Sequence, residues 1–221
     1  MKDPYKQRML TYIKTRIGTT DAMTLNDIVQ YRHLPIPKGC TVLDIGGHIG
    51  TFTNYALERS ASKVITYEPE PSNFAMLEQN TMGKSAEIFN KAVTGDGREV
   101  QLNVKTNGHS GGHSIYYDSP ARQHIKVPSE AFSSIVERVQ PDVVKIDCEG
   151  AEYEFNIPFS LPKSVKYLTI EIHTNRKEWR TRLAPKMIAD FAKEWNVLKQ
   201  PKITPRGWAT IAVWEKKDSA S

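Results

Sequence analysis

The sequence predicts a three-layer α/β protein, a largely parallel sheet with helices on both faces. Two observations predict it. Short apolar strands and helical stretches alternate from residue 40 onward, and a glycine-rich turn joins the first of those strands to its helix. The 221 residues, 39% hydrophobic and 25% charged, suffice to bury a core without disulfide staples.

The elements follow in order. Met9, Leu10, Ile13 and Ile17 recur at helical spacing and end at Gly18. Thr24 and Asp27 resemble a capping box ahead of Leu25, Ile28 and Val29. The run from Leu34 to Gly39 contains two prolines and breaks the helical pattern. Strands are then expected at 41–45, 63–67, 86–93, 142–146 and 165–172, with helices at 51–59, 71–80, 129–139 and 183–195. A hairpin is expected from 99–104 and 124–127, and 197–199 and 208–214 close the chain. No internal repeat or low-complexity tract appears. The expected organisation is a helical N-terminal cap over 1–39, one domain over 40–215 and a flexible tail over 216–221.

Charge and composition narrow the function classes. The net charge of +5 permits an anionic partner, but Lys and Arg are spread along the chain, with modest clusters at 2–16 and 176–182. No apolar stretch has the length of a membrane span, and the first residues do not read as a signal peptide, so a cytoplasmic protein without membrane contact is expected. Cys40 precedes the start of one parallel strand and Cys148 follows the end of another. A strand length of about 17–20 Å then separates them, which forbids a disulfide. Trp179, Trp195, Trp208 and Trp214 read as core and pocket wall.

In such a sheet, ligands sit beyond the carboxyl ends of the strands. The turn Asp44-Ile-Gly-Gly-His-Ile-Gly50 lies at one of these ends. Counted back from Gly50, a dinucleotide fingerprint would need glycine at position 45, where Ile45 stands, so the pattern fails. Asp44 would repel a pyrophosphate and suits a ligand with positive charge. Glu68, at the end of the second strand, can accept hydrogen bonds from both hydroxyls of a ribose. Together they favour S-adenosylmethionine, which carries a sulfonium and an ammonium and no phosphate. Gly83-Lys84-Ser85 looks like the end of a phosphate-binding loop, but Glu78 occupies the place of its first glycine.

At this point the sequence resembles the FkbM-type methyltransferases. The resemblance rests on Asp44–Gly50, on Tyr67-Glu-Pro-Glu-Pro-Ser-Asn-Phe74 with Leu77 and Asn80, on Val144-Lys-Ile-Asp-Cys-Glu-Gly-Ala-Glu152, and on Glu171-Ile-His173. It covers 41–173; the family has Ala-Asn where this chain has Gly47-His48. The resemblance implies a class I, Rossmann-like methyltransferase fold of seven strands in the order 3-2-1-4-5-7-6, the last one inserted antiparallel. It also implies transfer of a methyl group from S-adenosyl-L-methionine to a hydroxyl. Cofactor contacts are then expected at Asp44, Gly46, Gly47, His48, Gly50, Glu68, Pro69, Asn73 and Ala92.

The carboxyl ends of the strands at 142–146 and 165–172 gather Lys145, Asp147, Glu149, Glu152, Glu171 and His173. An alcohol is a weak nucleophile near neutral pH, so its methylation needs a base or a metal. His173 is the favoured base by its ordinary pKa, with Asp147 orienting the hydroxyl or taking the proton, and Lys145 and Glu171 completing the catalytic set. Asp147, Glu149 and Glu171 form an alternative oxygen set for Mg²⁺. Lys145 also reads as a buried partner of a carboxylate, and Glu152 as an acid steadying a helix start.

His109-Ser-Gly-Gly-His113 falls in the insert after the third strand and reads as a mobile loop over the substrate, with metal binding as its alternative. The expected acceptor is a small hydroxylated molecule such as a sugar or glycoside. Two other readings stand beside it: ribose 2′-O-methylation of RNA, and a module that holds the cofactor without turnover. Amino-group DNA methylation needs Asp/Asn-Pro-Pro-aromatic where this chain has Asp147-Cys-Glu-Gly, and the chain lacks the Pro-Cys of cytosine-carbon methylation.

Overall fold

A computed structural model of the chain describes residues 4–106, 108–205 and 207–217. Seven strands form one sheet: β1 (Thr41–Ile45), β2 (Lys63–Tyr67), β3 (Ala86–Phe89), β8 (Val143–Ile146), β9 (Tyr167–His173), β10 (Trp195–Lys199) and β11 (Ala209–Lys216). The four remaining strands, β4 (Ala92–Thr94), β5 (Val100–Lys105), β6 (Arg122–Val127) and β7 (Ser129–Ala131), lie outside that sheet. The sheet runs β10-β11-β9-β8-β1-β2-β3, which is 3-2-1-4-5-7-6 when its own strands are counted along the chain. β11 is inserted antiparallel between β9 and β10, and the other pairings are parallel.

Alternation along each strand divides the core into two layers. Val42, Val64 and Val143 pack with Met9, Leu25, Ile28, Tyr31 and Phe52 on one face. Leu43, Ile45, Val144, Ile146 and Leu168 pack with Phe132, Phe191, Trp195 and Trp214 on the other. Helices α3 (Thr51–Glu58), α4 (Pro71–Thr81), α5 (Phe132–Val139) and α6 (Ala184–Glu194) connect the strands, preceded by α1 (Pro4–Met9) and α2 (Asp21–Asp27). The start of α4 is built locally. Pro71 presets its first turn, and the Glu70 carboxylate accepts the backbone N–H of Ser72 and Asn73.

Several expectations change. The N-terminal helical spacing does not make one helix: α1 ends at Met9, Leu10 and Ile17 are exposed, and Arg16 is drawn to Asp21 in a bidentate pair. α2 starts at Asp21, so Thr24 is inside it and bonds back to the Asp21 carbonyl instead of capping. The strand expected over 86–93 is two strands. Asn90 donates to the carbonyls of Glu68 and Pro69, the chain leaves the sheet there, and β4 pairs with β7 instead. Residues 129–131, expected to be helical, are that β7 partner. Lys216, assigned to the tail, ends β11; residues 218–221 lie outside the described residues. Trp208 is 72% exposed and walls nothing, while the other three tryptophans are buried. The hairpin β5–β6 forms, and both cysteines are free thiols.

Candidate active site

β1 lies between β2 and β8, so its carboxyl end is the centre of the sheet's functional edge. The backbone N–H groups of Gly46 and Gly47 both donate to the Tyr67 carbonyl, and that of Asp147 donates to the Ile45 carbonyl, which ties the three strand ends together. Side chains do not fit here. A Cβ on Gly46 would collide with the Asp147 carbonyl, and one on Gly47 with the Thr66 methyl. A cavity of about 440 Å³ opens over this edge. Gly46, Gly47, His48, Glu68, Pro69, Asn73 and Ala92 line it, and so do Lys145, Asp147, Glu149 and Glu171.

Glu68 is buried, and its carboxylate accepts the N–H of His48 at 2.7 Å and of Glu70 at 2.9 Å. Burial nevertheless pushes its pKa up to about 7. His48 and Glu149 are non-glycine residues with positive φ, 51° and 54°, and both line the cavity. The His48 ring bonds the Ser110 carbonyl through Nε2, while its Nδ1 is buried without a partner among the described residues. Burial lowers the pKa of this ring, so it is neutral.

Ser110 belongs to the glycine-rich insert and is stapled in place. Its carbonyl accepts from Asn73 Nδ2 at 2.9 Å, its N–H donates to Thr20 Oγ1 at 3.1 Å, and the two hydroxyls lie 3.0 Å apart. Arg16 extends the same network to Asp21 and Asn73. The stretch 110–115 thereby covers the cavity. His109 is exposed, and His113 accepts the Lys105 N–H through Nδ1, with burial bringing its pKa down to about 4. The two histidines therefore do not act as a pair.

Asp44 is placed differently from the expectation. It is fully buried and does not line the cavity. The parallel register sets it beside Lys145, whose Nζ lies 3.1 Å from Asp44 Oδ1 and donates to the Gly46 and Ile45 carbonyls. Thr53 donates to the other Asp44 oxygen. The charge expected to meet a cationic ligand is spent on a lysine inside the protein. Gly50 also lies off the cavity, at the left-handed N-cap of α3 against Leu77.

His173 departs from the neutral base the sequence suggested. It is buried, with Nε2 3.3 Å from Glu149 Oε2 and Nδ1 3.1 Å from Glu152 Oε1. Burial opposes its charge, but Glu152 and Glu149 outweigh that effect and hold its pKa well above the ordinary 6.5. At neutral pH it is an imidazolium with no lone pair to offer. Glu152, expected at a helix start, accepts the N–H of Gly150 and of His173 as well. Asp147 keeps a freer carboxylate, 3.5 Å from the Tyr31 hydroxyl and 3.9 Å from Lys145. Burial, then Asp147, pushes Glu171 up to about 8. Cys148 is held protonated, by burial first.

The acids do not converge as the expected Mg²⁺ set. The described group whose ligand atoms all lie within 4.8 Å is Asp147, Glu149 and His173, without Glu171. One of those three donors is an imidazole nitrogen, whereas Mg²⁺ takes oxygens in near-octahedral array, so this donor set does not fit it. The Glu68 carboxylate, aligned by two backbone N–H groups in the cavity wall, fits the hydroxyls of an adenosyl ribose.

Sequence reasoning located the strand-end residues but not Thr24, Asp27 and Tyr31, which line the cavity from α2 and the 3-10 turn after it (Ile28–Tyr31). No local motif marks them, because they reach the site through tertiary packing alone.

The model of the methyltransferase FkbM domain matches residues 44–199. No curated protein matches the chain. A Clostridium thermocellum structure described as a "putative rRNA-methylase" is similar at TM-score 0.50 and 9% identity, covering 92% of this chain and 100% of that one. A "putative hemolysin" from Lactococcus lactis is similar at TM-score 0.50 and 14% identity, over 92% and 90%. Aeropyrum pernix fibrillarin, with natively bound S-adenosyl-L-methionine, is similar at 0.47 and 12%, over 82% and 68%. At these identities the likeness is one of fold. No helix among the described residues is long and apolar enough to cross a membrane.

Proposed function

Because the chain belongs to the FkbM methyltransferase family and is thus an S-adenosylmethionine-dependent methyltransferase, we propose that it methylates a hydroxyl of a small polyhydroxylated molecule, a sugar or glycoside. The observation that carries this reading is one cavity lined both by Glu68, His48 and Asn73 and by Asp147, Glu149 and Glu171.

When bound, S-adenosylmethionine would supply an electrophilic methyl carbon for the acceptor oxygen, with its sulfur able to take back the carbon–sulfur electron pair. The chain's residues align and deprotonate. Glu68 accepts the ribose hydroxyls, and the Ser110 staple keeps water from that end. Asp147 takes the acceptor's proton, because His173 is already protonated and Lys145 is committed to Asp44. Glu149, paired with His173, fixes the wall behind Asp147.

The carboxyl groups among the lining residues disfavour the phosphates of RNA, which like charges repel. The test is transfer of labelled methyl from S-adenosylmethionine to parallel panels of sugars and glycosides and to RNA. Label in the first panel supports the reading; label confined to RNA replaces it with ribose methylation, and cofactor binding without any transfer leaves a binding module.

A further inference from the structure

The cavity is lined by more carboxyl groups than the protein pairs. Asp27, Asp147, Glu149 and Glu171 all line the space. Lys145 and His173 stand behind it and are engaged, Lys145 on Asp44 and two backbone carbonyls, and His173 on two carboxylates at once. Lys91, the other lining lysine, sits 3.6 Å from Glu130. Lys199 and Lys6 act on Glu171 and Asp27 electrostatically, while their amino groups donate to the Gln30 carbonyl at 3.3 Å and to Asn26 Oδ1 at 3.0 Å. Among the described residues, no hydrogen bond or ion pair engages the side chain of Glu171 or Asp27.

The acids also feel one another. After burial, Asp147 is the largest influence raising both Glu171 and Asp27 above the ordinary carboxylate range. Such a wall relieves its repulsion by holding Glu171 protonated near neutral pH, and an entering cation would ionise that carboxyl. The cofactor's sulfonium does not serve, because that charge is lost as the methyl group leaves sulfur. A neutral sugar supplies none. The donor set does not fit Mg²⁺, as described above.

Resting on the methyltransferase reading, we infer that the acceptor carries an ammonium group near the hydroxyl that is methylated, an amino sugar or amino polyol, with Asp27 and Glu171 holding the ammonium, Glu171 releasing its proton to solvent as it binds, while Asp147 takes the hydroxyl proton. The two roles need different chemistry and fall on different residues. Asp147 is adjacent to Lys145 and Tyr31, which orient it, whereas Asp27 and Glu171 have unengaged oxygens for a charge-assisted pair.

The test is calorimetric titration of the full chain preloaded with S-adenosylhomocysteine. The probes are glucosamine, galactosamine and 2-deoxystreptamine, each against its N-acetyl form, with glucose 6-phosphate as the anionic control. The expected result is at least one amine bound about tenfold tighter than its N-acetyl partner. That preference should collapse in Glu171→Gln and Asp27→Asn, whose homocysteine-cofactor affinity stays at the wild-type value. Equal affinity for every pair, tighter binding of the phosphate, or no amine binding at all overturns the inference. So does amine binding that disappears in chelator and returns with Mg²⁺. Loss of the preloading step itself, with S-adenosylhomocysteine failing to bind wild type, would instead overturn the methyltransferase reading beneath it.

Discussion

Nζ of Lys145 lies 3.1 Å from Oδ1 of Asp44, across the parallel pairing of two central strands, and both side chains are buried. The pair makes the glycine turn's acid a framework group. Burial works against the lysine's charge, and Asp44 followed by Asp147 outweighs it.

Removing one partner should therefore be far worse than removing both. Lys145→Ala leaves a buried, uncompensated carboxylate and is expected to cost about 3–5 kcal/mol of folding stability. Lys145→Met combined with Asp44→Leu should recover much of that loss. Urea denaturation of the three proteins checks the order; equal stability of Lys145→Ala and wild type would show that the pair contributes nothing.

Glu68 gives cofactor binding a pH dependence of definite sign. Its pKa in the free protein is about 7, and an adenosyl ribose needs the ionised form as acceptor. Affinity for S-adenosylhomocysteine should rise as pH increases from 6 to 8 and flatten above that range, about tenfold per pH unit on the acidic side. Binding should release a proton below pH 7, visible as a buffer-dependent calorimetric heat. Glu68→Gln should bind about tenfold or more weakly and lose the pH slope.

The Ser110 staple should hold the insert down. Thr20→Val removes the acceptor of the Ser110 N–H and the hydroxyl contact, a loss of about 1–2 kcal/mol. Amide exchange across residues 108–114 should accelerate about tenfold, and S-adenosylhomocysteine should dissociate faster. Unchanged exchange would mean that His48 and Asn73 suffice to hold the loop.

His173 links stability to alkaline pH. Its folded pKa is raised above the ordinary 6.5, so its pairing with Glu152 and Glu149 contributes stability fully present below that pH. The contribution is lost as pH rises through the folded value. The stability difference between wild type and His173→Gln should thus shrink on going from neutral to alkaline pH. A difference that grows with pH would mean that the ring is neutral in the native protein.

The central strands were readable because their signal is local. The apolar runs at 41–45 and 63–67 coincide with β1 and β2, and the FkbM motifs mark the ends that carry Glu68, Asp147 and His173. What escaped was pairwise. Nothing in the sequence says that Asp44 faces Lys145 instead of a ligand, or that Glu152 reaches His173, since both contacts depend on register and on a turn after β8. Nor does spacing show that residues 86–93 leave the sheet halfway, because that break is made by Asn90 reaching back to the end of β2. Asp27 and Tyr31 come from an N-terminal segment whose apolar periodicity promised a longer helix than the one that forms.

The most direct test of the account is turnover by Asp147→Asn at saturating labelled S-adenosylmethionine and the best acceptor from the sugar and amino-sugar panels. Asparagine keeps the side chain's shape and removes its basicity. The account predicts a fall in kcat of about 10²–10⁴-fold with S-adenosylhomocysteine affinity unchanged. An Asp147→Asn enzyme that transfers methyl at the wild-type rate would contradict it.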